Sequence, residues 1–211
     1  MYLVAATFLV DQVLGEARPT DPLGEAVLDA ALEQFLEYGL RRSSVEDVAR
    51  RAGVARVTVY RRFPTKNDLM TAVVLREVRA ALAEIERAVE AFPAVEDKAV
   101  EGFVTAVRIA RSQPLLRRLL HTEPETVLPY LTIHAGPLLA VAREFLAGHI
   151  REAQAAGHVP RFEPEPVAEM LVRLTQSLVL TPAGVIDADD EDAVRSFARR
   201  YLFPIDTATR T

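Results

Sequence analysis

The sequence predicts an all-α protein of about nine or ten helices. Apolar residues recur every three or four positions along most of the chain, which is the spacing of one helical face. Proline and glycine stand between these periodic stretches, as they do at helix ends. No stretch alternates apolar and polar residues between hairpin turns, so we predict no β-strand. With 211 residues, half of them hydrophobic, the chain can bury a sizeable core in one or two domains.

Residues 1–20 are predicted to be an extra N-terminal apolar arm. The run MYLVAATFLV lacks the basic start of a signal peptide, and its ten residues are too few to span a bilayer. We expect an arm or short helix packed on the protein, and the alternative is a targeting or membrane-touching segment. The chain has no cysteine, which excludes disulfides and thiolate metal sites and permits a cytoplasmic location.

Three helices are predicted next. The first begins at Asp21-Pro22 and ends at Gly39, and its apolar stripe comprises Val27, Leu28, Ala31, Leu32, Phe35 and Leu36. Two short helices follow at about 44–51 and 55–62. Ser43 and Glu46 have the spacing of a capping box, and Gly53 supplies a left-handed turn residue. Three inward-facing side chains allow the short helices to cross closely: Val48, Val54 and Val59.

The charge of this region indicates a DNA partner. Residues 41–66 hold eight basic side chains and only two acidic ones, a local charge of +6, although the whole chain carries −5. The remainder therefore carries −11, which would orient the basic face toward a polyanion. A helix-turn-helix spacing together with this charge is typical of DNA-binding proteins.

A long helix is predicted at about 67–91, capped by Thr65 or Asn67. Further helical patterns lie at 96–112, 114–121, 124–132, 136–156, 164–181 and 189–202. The last two carry apolar stripes that favour a four-helix dimer interface formed with a second copy of the chain. We expect that interface at Val167, Leu171, Leu174, Leu178, Val194, Phe197 and Tyr201, although packing within one subunit would produce the same stripes.

Residues 96–150 are more apolar than one solvent-facing stripe requires, which predicts a buried or hollow core. Interleaved polar side chains could orient a small, mostly apolar or amphipathic ligand there. The predicted ligand-binding residues are Phe103, Val107, Arg108, Leu120, His121, Tyr130, His134, Phe145, Arg173 and Gln176. The alternative for the two histidines is an ordinary structural or surface role.

No catalytic, metal or cofactor site is predicted. The acidic run at 187–192 could suggest Mg²⁺ and a diphosphate, but a helix N-cap explains it more simply. The four histidines include no pair four residues apart on a helix, and the chain has neither a nucleophile elbow nor a phosphate-binding glycine loop. We therefore expect a protein that is not an enzyme.

Residues 21–75 resemble the TetR family of bacterial transcriptional regulators. The resemblance rests on FLEYG at the end of the first helix and on SSVEDVARRAGVARVTVYRRFPTKNDL after it. It implies a DNA-binding domain at 21–66 and a helical effector-binding and dimerisation domain at 67–211, in which residues 67–91 form the linking helix. It also implies a ligand-responsive dimer, more often a repressor, on a near-palindromic operator. The alternatives are a DNA-binding dimer without an effector and an all-α enzyme.

The resemblance also assigns the DNA contacts. It implies that Ser44, Tyr60 and Lys66 contact phosphates. Arg56, Val57, Thr58 and Arg61 would face base edges, where an arginine can bond two acceptors of guanine and a methyl group can meet thymine. Val57 departs from the small residue that is common at this position of the family.

Overall fold

A computed structural model describes residues 21–181 and 183–203, and the predicted N-terminal arm lies outside this part. The all-α prediction is confirmed, since the described residues form ten α-helices and no strand. The helices are α1 (Pro22–Tyr38), α2 (Val45–Arg51), α3 (Arg56–Arg62), α4 (Lys66–Glu90), α5 (Val95–Ser112), α6 (Pro114–Thr122), α7 (Pro124–Leu131), α8 (Gly136–Ala155), α9 (Pro164–Leu180) and α10 (Glu191–Phe197).

Helix boundaries agree with the prediction to within two residues. Four helices start with proline, which lacks the N–H that a first turn leaves unpaired. The last predicted helix is the exception, because α10 gives way to a π-helical turn at Ala198–Leu202. The interpretation of the acidic run as an N-cap is confirmed, since the Asp190 carboxylate accepts from the Asp192 N–H at 2.9 Å.

The N-terminal unit comprises residues 21–79 and 113–135. Its core joins α1 to α4 with α6, through the buried side chains Val27, Phe35, Val48, Val59, Leu69, Val73, Leu115 and Leu119. Two ion pairs join α3 and α4 to α1. Arg62 of α3 pairs with Asp21, the N-cap residue of α1, at 2.8 Å, and Arg76 of α4 pairs with Asp29 of α1 at 2.8 Å. The two short helices α2 and α3 are therefore held by packing on α1, α4 and α6.

The C-terminal unit comprises residues 80–112, 136–181 and 183–203. One side of α5 packs against α9 and α10 in a core that includes Val100, Phe103, Val104, Val107, Leu178 and Val194. Polar contacts at its rim tie the same helices together. Arg195 of α10 pairs with Glu101 of α5 at 2.6 Å, and Arg111 of α5 donates to the Leu178 carbonyl of α9 at 3.0 Å.

Three residues of the predicted dimer interface are instead buried inside one chain. Val194 is only 1% exposed, and Leu171 and Leu178 are also buried. Leu174 and Phe197 pack against the same core, whereas Tyr201 is exposed. Four of these side chains thus pack within their own subunit, which is the alternative that the sequence left open: Leu174, Leu178, Val194 and Phe197. The physical reason is that α5 offers a matching apolar face within the chain. Val167 is half-buried, so its role and that of Tyr201 in an interface remain predictions.

Candidate nucleic-acid interface

The second helix begins at a capping box, one residue later than the sequence predicted. Ser44 Oγ accepts from the Asp47 N–H at 3.1 Å, and the Asp47 carboxylate accepts from the Ser44 N–H at 3.1 Å. Ser43 is not the cap because it is buried, and its hydroxyl donates to the Gly39 carbonyl at 2.6 Å. These reciprocal bonds fix the start of α2.

The same bonds occupy the hydroxyl of Ser44. Its proton is donated to Asp47 Oδ2 at 2.6 Å, and the bonds from Ser44 lower the pKa of that carboxyl, which stays charged. A phosphate contact by the Ser44 hydroxyl would therefore require the carboxylate to give up this proton donor. The predicted role of Ser44 remains a prediction.

A tight turn sets α3 against α2. Gly53 has φ +66°, the left-handed conformation predicted for it, and Val54 N–H bonds back to the Ala49 carbonyl at 3.0 Å. Val59 is fully buried against the core. The opposite side of α3 faces solvent, where Val57 is 72% exposed and Arg61 is also exposed. Thr58, one residue from the buried Val59, is half-buried.

Arg56, at the first position of α3, is held by two neighbours. Its Nε lies 2.6 Å from Glu46 Oε1, and its guanidinium lies over the Tyr60 ring, 5.0 Å from the centroid. Arg56 Nη2 also donates to the Tyr60 hydroxyl at 3.4 Å. The Tyr60 hydroxyl and the Glu46 charge raise the pKa of Arg56 above its ordinary value, so the side chain stays cationic.

Most of the basic side chains between residues 41 and 66 face carboxylates. Five of the eight form such ion pairs within the described part of the chain: Arg41, Arg50, Arg51, Arg56 and Arg62. The other three face no carboxylate there: Arg42, Arg61 and Lys66. The Lys66 ammonium donates to the Leu40 carbonyl, which leaves two of its three protons for another acceptor. Fewer basic side chains are therefore available to bind a polyanion than the local charge of +6 between residues 41 and 66 suggests.

Helices α6 and α7 contribute residues that the sequence did not single out. Glu123, only 7% exposed, accepts from the Arg41 N–H at 3.2 Å. The Arg41 guanidinium pairs with Glu125 at 2.7 Å, and Arg118 donates to the Glu37 carbonyl at 2.8 Å. These contacts fix the loop between α1 and α2. The sequence signal at Glu123 was only that of a helix start before Pro124, because its partner is 82 residues away.

Glu46 was also missed as a neighbour of Arg56. The spacing of Glu46 after Ser43 suggested a capping role, whereas its carboxylate instead reaches the first residue of the next helix. Only the crossing of α2 and α3 brings the two side chains together.

Four predicted ligand-binding residues belong to the N-terminal unit. Leu120 and His121 lie on α6, and Tyr130 lies on α7, just before His134. His121, Tyr130 and His134 are exposed, and the Tyr130 and His134 rings are 6.2 Å apart. Their role in ligand binding remains a prediction.

The other six belong to the C-terminal unit. Phe103 and Val107 are packed together in its core, and Arg108 pairs with Glu84 at 2.9 Å. The Phe145 ring contacts the tilted His149 ring with centroids 4.6 Å apart, and Gln176 is half-buried on α9. Arg173 lies in an open surface groove formed by Arg143, Glu165, Pro166, Glu169, Met170 and Arg173 itself. Arg173 contributes charge to that groove, and Phe103 and Val107 contribute apolar surface to the core.

No helix within residues 21–181 and 183–203 has the length and apolar character needed to cross a membrane.

Two family models match the chain. The one described as bacterial regulatory proteins, tetR family, matches residues 27–73, which contain α2 and α3. The one described as bacterial tetracyclin repressor, C-terminal domain, matches residues 95–200.

Relatives and solved structures agree with these matches. A helix-turn-helix transcriptional regulator of Mycobacterium bovis is 30% identical over 165 residues, which cover 78% of this chain and 84% of that protein. The regulator UidR of Escherichia coli is 27% identical and covers 90% of this chain and 93% of its own length. The crystal structure of the TetR family repressor AlkX from a Dietzia species, implicated in biodegradation of n-alkanes, superimposes with a TM-score of 0.64. It is 25% identical to this chain and covers 88% of it and 97% of AlkX.

A capped helix-turn-helix with an exposed basic face thus coincides with the N-terminal family match, and the helices from α5 onward coincide with the C-terminal one. The chain belongs to the TetR family of bacterial regulatory proteins and is a DNA-binding, helix-turn-helix transcriptional regulator.

Proposed function

We propose that the protein is a dimeric, ligand-responsive repressor of a near-palindromic operator, and not an enzyme. In this proposal residues 21–66 bind DNA, residues 67–211 bind the effector and dimerise, residues 67–91 link the two, and residues 1–20 are an arm. The observation that carries the proposal is the outward face of α3, on which the exposed Val57 and Arg61 lie beside Arg56. Such a face suits the major groove, which accommodates one α-helix.

In this proposal the exposed side of α3 contacts the base edges. An arginine at position 56 or 61 can donate two hydrogen bonds to guanine, while the methyl groups of Val57 and Thr58 suit thymine. Tyr60 and Lys66 would contact phosphates, and so would the α2 start at Ser44. Phosphate contacts fix register and supply affinity, whereas base contacts supply sequence preference.

Dimerisation would place two α3 helices in successive major grooves, about 34–36 Å apart for half-sites one turn apart. The exposed residues available for it include Tyr201 and the outer side of α9, where Met170 is 58% exposed and Arg173 is also exposed. This surface replaces the buried members of the interface predicted from sequence. Met170→Asp should convert the dimer to a monomer in sedimentation equilibrium if the interface lies there, and an unchanged mass would place it elsewhere.

A small, mostly apolar or amphipathic effector would release the operator. Two observations support this class: the apolar character of residues 96–150 and the likeness to AlkX, whose name connects it with n-alkanes. A ligand that prefers a form unable to bind DNA shifts the population toward that form. Medium- and long-chain alkanes, fatty acids and lactones should be screened for an increase in melting temperature. No shift at saturating concentrations would favour a DNA-binding dimer without an effector.

The DNA-binding roles can be separated by substitution. Arg56→Ala should lose discrimination at one operator position, at a cost of about 1–3 kcal/mol. Lys66→Ala should weaken binding to operator and scrambled duplexes alike, because phosphates are present in both. Fluorescence anisotropy with single-base operator variants measures both effects. Equal losses on every sequence for both variants would contradict this division of roles.

A further inference from the structure

The carboxylate of Glu46 lies against Arg56, a residue of the proposed reading surface, although the DNA that this surface meets is a polyanion. It belongs to α2 and binds Nε of Arg56, the first residue of α3, at 2.6 Å. The Tyr60 hydroxyl lies 3.5 Å from the same oxygen, Glu46 Oε1. The three side chains therefore form one cluster, which we call the Arg56 cluster: Glu46, Arg56 and Tyr60.

The geometry of the cluster leaves part of the arginine free. Glu46 engages Nε, and the Tyr60 ring lies under the guanidinium. The side chain of Arg56 is still 63% exposed. Nη2 donates one of its two protons to the Tyr60 hydroxyl at 3.4 Å. The other proton of Nη2 and both protons of Nη1 can therefore still present a planar fork to a ligand.

We propose that Glu46 is a positioning residue that determines specificity, because it orients Arg56 toward a guanine and cancels the attraction of Arg56 for phosphates. The proposal rests on the proposed base-reading role of Arg56. An arginine whose Nε is already held loses less side-chain entropy when its fork meets the O6 and N7 acceptors of guanine. Operator binding with guanine at this position is thereby favoured.

Binding to other sequences is disfavoured by the same carboxylate. Without Glu46, Arg56 would be a flexible cation that could neutralise any phosphate in reach. With Glu46, the pair has no net charge, so a phosphate gains little from approaching it. Non-specific binding depends almost entirely on such neutralisation. Glu46 should therefore widen the gap between operator and non-operator affinity while contributing little to overall affinity.

The test compares Glu46→Gln with a matched control, Glu33→Gln, in the full-length protein. Both variants remove one negative charge from the N-terminal unit. Glu33→Gln releases no arginine, because Arg51 keeps its ion pair with Glu37. The operator duplex is first selected by the wild-type protein from a randomised library. Each variant is then titrated into this operator and into a scrambled duplex of the same composition. Titrations at several KCl concentrations give the salt slope.

For Glu46→Gln we expect the scrambled duplex to bind more tightly and its log–log salt slope to steepen by about 0.9, the value for one more neutralised phosphate. The preference for guanine at the Arg56 position should fall about two- to tenfold, the factor that corresponds to immobilising one side chain. Glu33→Gln should change neither the slope nor the guanine preference. A merely structural role of Glu46 would weaken both duplexes and leave the salt slope unchanged.

Two results would overturn the proposal. One is Glu46→Gln behaving like Glu33→Gln on both duplexes. The other is that Glu46→Gln reduces base preference as much in an Arg56→Ala background as in the wild-type protein. Glu46 would then read a base itself and would not act through Arg56. Failure of the proposed function looks different: wild type would show no preference for any duplex, or Arg56→Ala would leave every base preference intact. Circular dichroism and melting temperature confirm that each variant folds.

Discussion

Replacing Gly39 with alanine should destabilise the N-terminal unit by about 2.5–6 kcal/mol, the sum of a backbone term and a lost contact. Gly39 ends α1 with φ +82° and ψ 174°, a region that is almost exclusive to glycine, and occupying it with another residue costs about 1–3 kcal/mol. An alanine Cβ would also clash with Glu123 Oε1. The carboxylate must then leave the Arg41 N–H, and a hydrogen bond to a charged group contributes about 1.5–3 kcal/mol.

Gly53→Ala provides the matched control. Gly53 also has a positive φ, +66°, but nothing lies within 4 Å of its added Cβ. Alanine there should cost only the left-handed backbone term, about 1–2 kcal/mol. Urea titrations followed by circular dichroism give the free energy of unfolding, and hydrogen exchange of the α1 and α2 amides reports on the N-terminal unit itself.

A third variant separates the two terms. In a Glu123→Ala background the steric conflict is absent, so Gly39→Ala should cost only its backbone term. If Gly39→Ala is no more costly than Gly53→Ala in the wild-type background, the close packing of Glu123 on the end of α1 is wrong.

Three further predictions concern stability and charge. Leu119→Ala should cost about 2–5 kcal/mol, because this α6 side chain is 5% exposed in the core of the N-terminal unit, and a loss below 1 kcal/mol in a urea titration contradicts that packing. Arg61→Ala should reduce the slope of log DNA affinity against log salt concentration by about 0.9 without changing stability. Arg62→Ala breaks the ion pair with Asp21 inside the N-terminal unit, so it should cost up to about 1 kcal/mol of stability and leave that slope unchanged. Hydrogen bonds from Ser44 lower the folded-state pKa of Asp47, so its contribution to stability is complete above the unfolded pKa of about 3.9 and is lost as the pH falls through the folded value. Asp47→Asn should flatten the acid limb of a stability-versus-pH curve, and an unchanged acid limb means that the carboxyl is not held as described.

Local patterns determined the helices and the DNA-binding motif. Proline at first helical positions, glycine at positive φ and the spacing of apolar residues all act within a few residues of the chain, so the sequence alone places α1 to α9 and the start of α10 closely. The inward-facing Val48 of α2 and Val59 of α3 were also predicted, although α3 carries a valine on each side and the fold shows that Val57 is the exposed one. The capping box was displaced by one position, since Ser43 and Ser44 have similar local signals and only burial of Ser43 decides between them.

Tertiary contacts decided which charges and which apolar faces remain available. The sequence showed eight basic side chains between residues 41 and 66, but only the fold shows that Arg56 meets Glu46 of another helix and that Arg41 meets Glu123 and Glu125 of a distant segment. It likewise showed an apolar stripe on the last helices, but not that four of its side chains pack on α5 of the same chain. Helical periodicity specifies that a face is apolar, whereas the surface that covers it depends on how the chain packs in three dimensions. For the same reason the sequence determined that α3 is the second helix of a helix-turn-helix, and the fold determined that Arg56 is held beside the Glu46 carboxylate there.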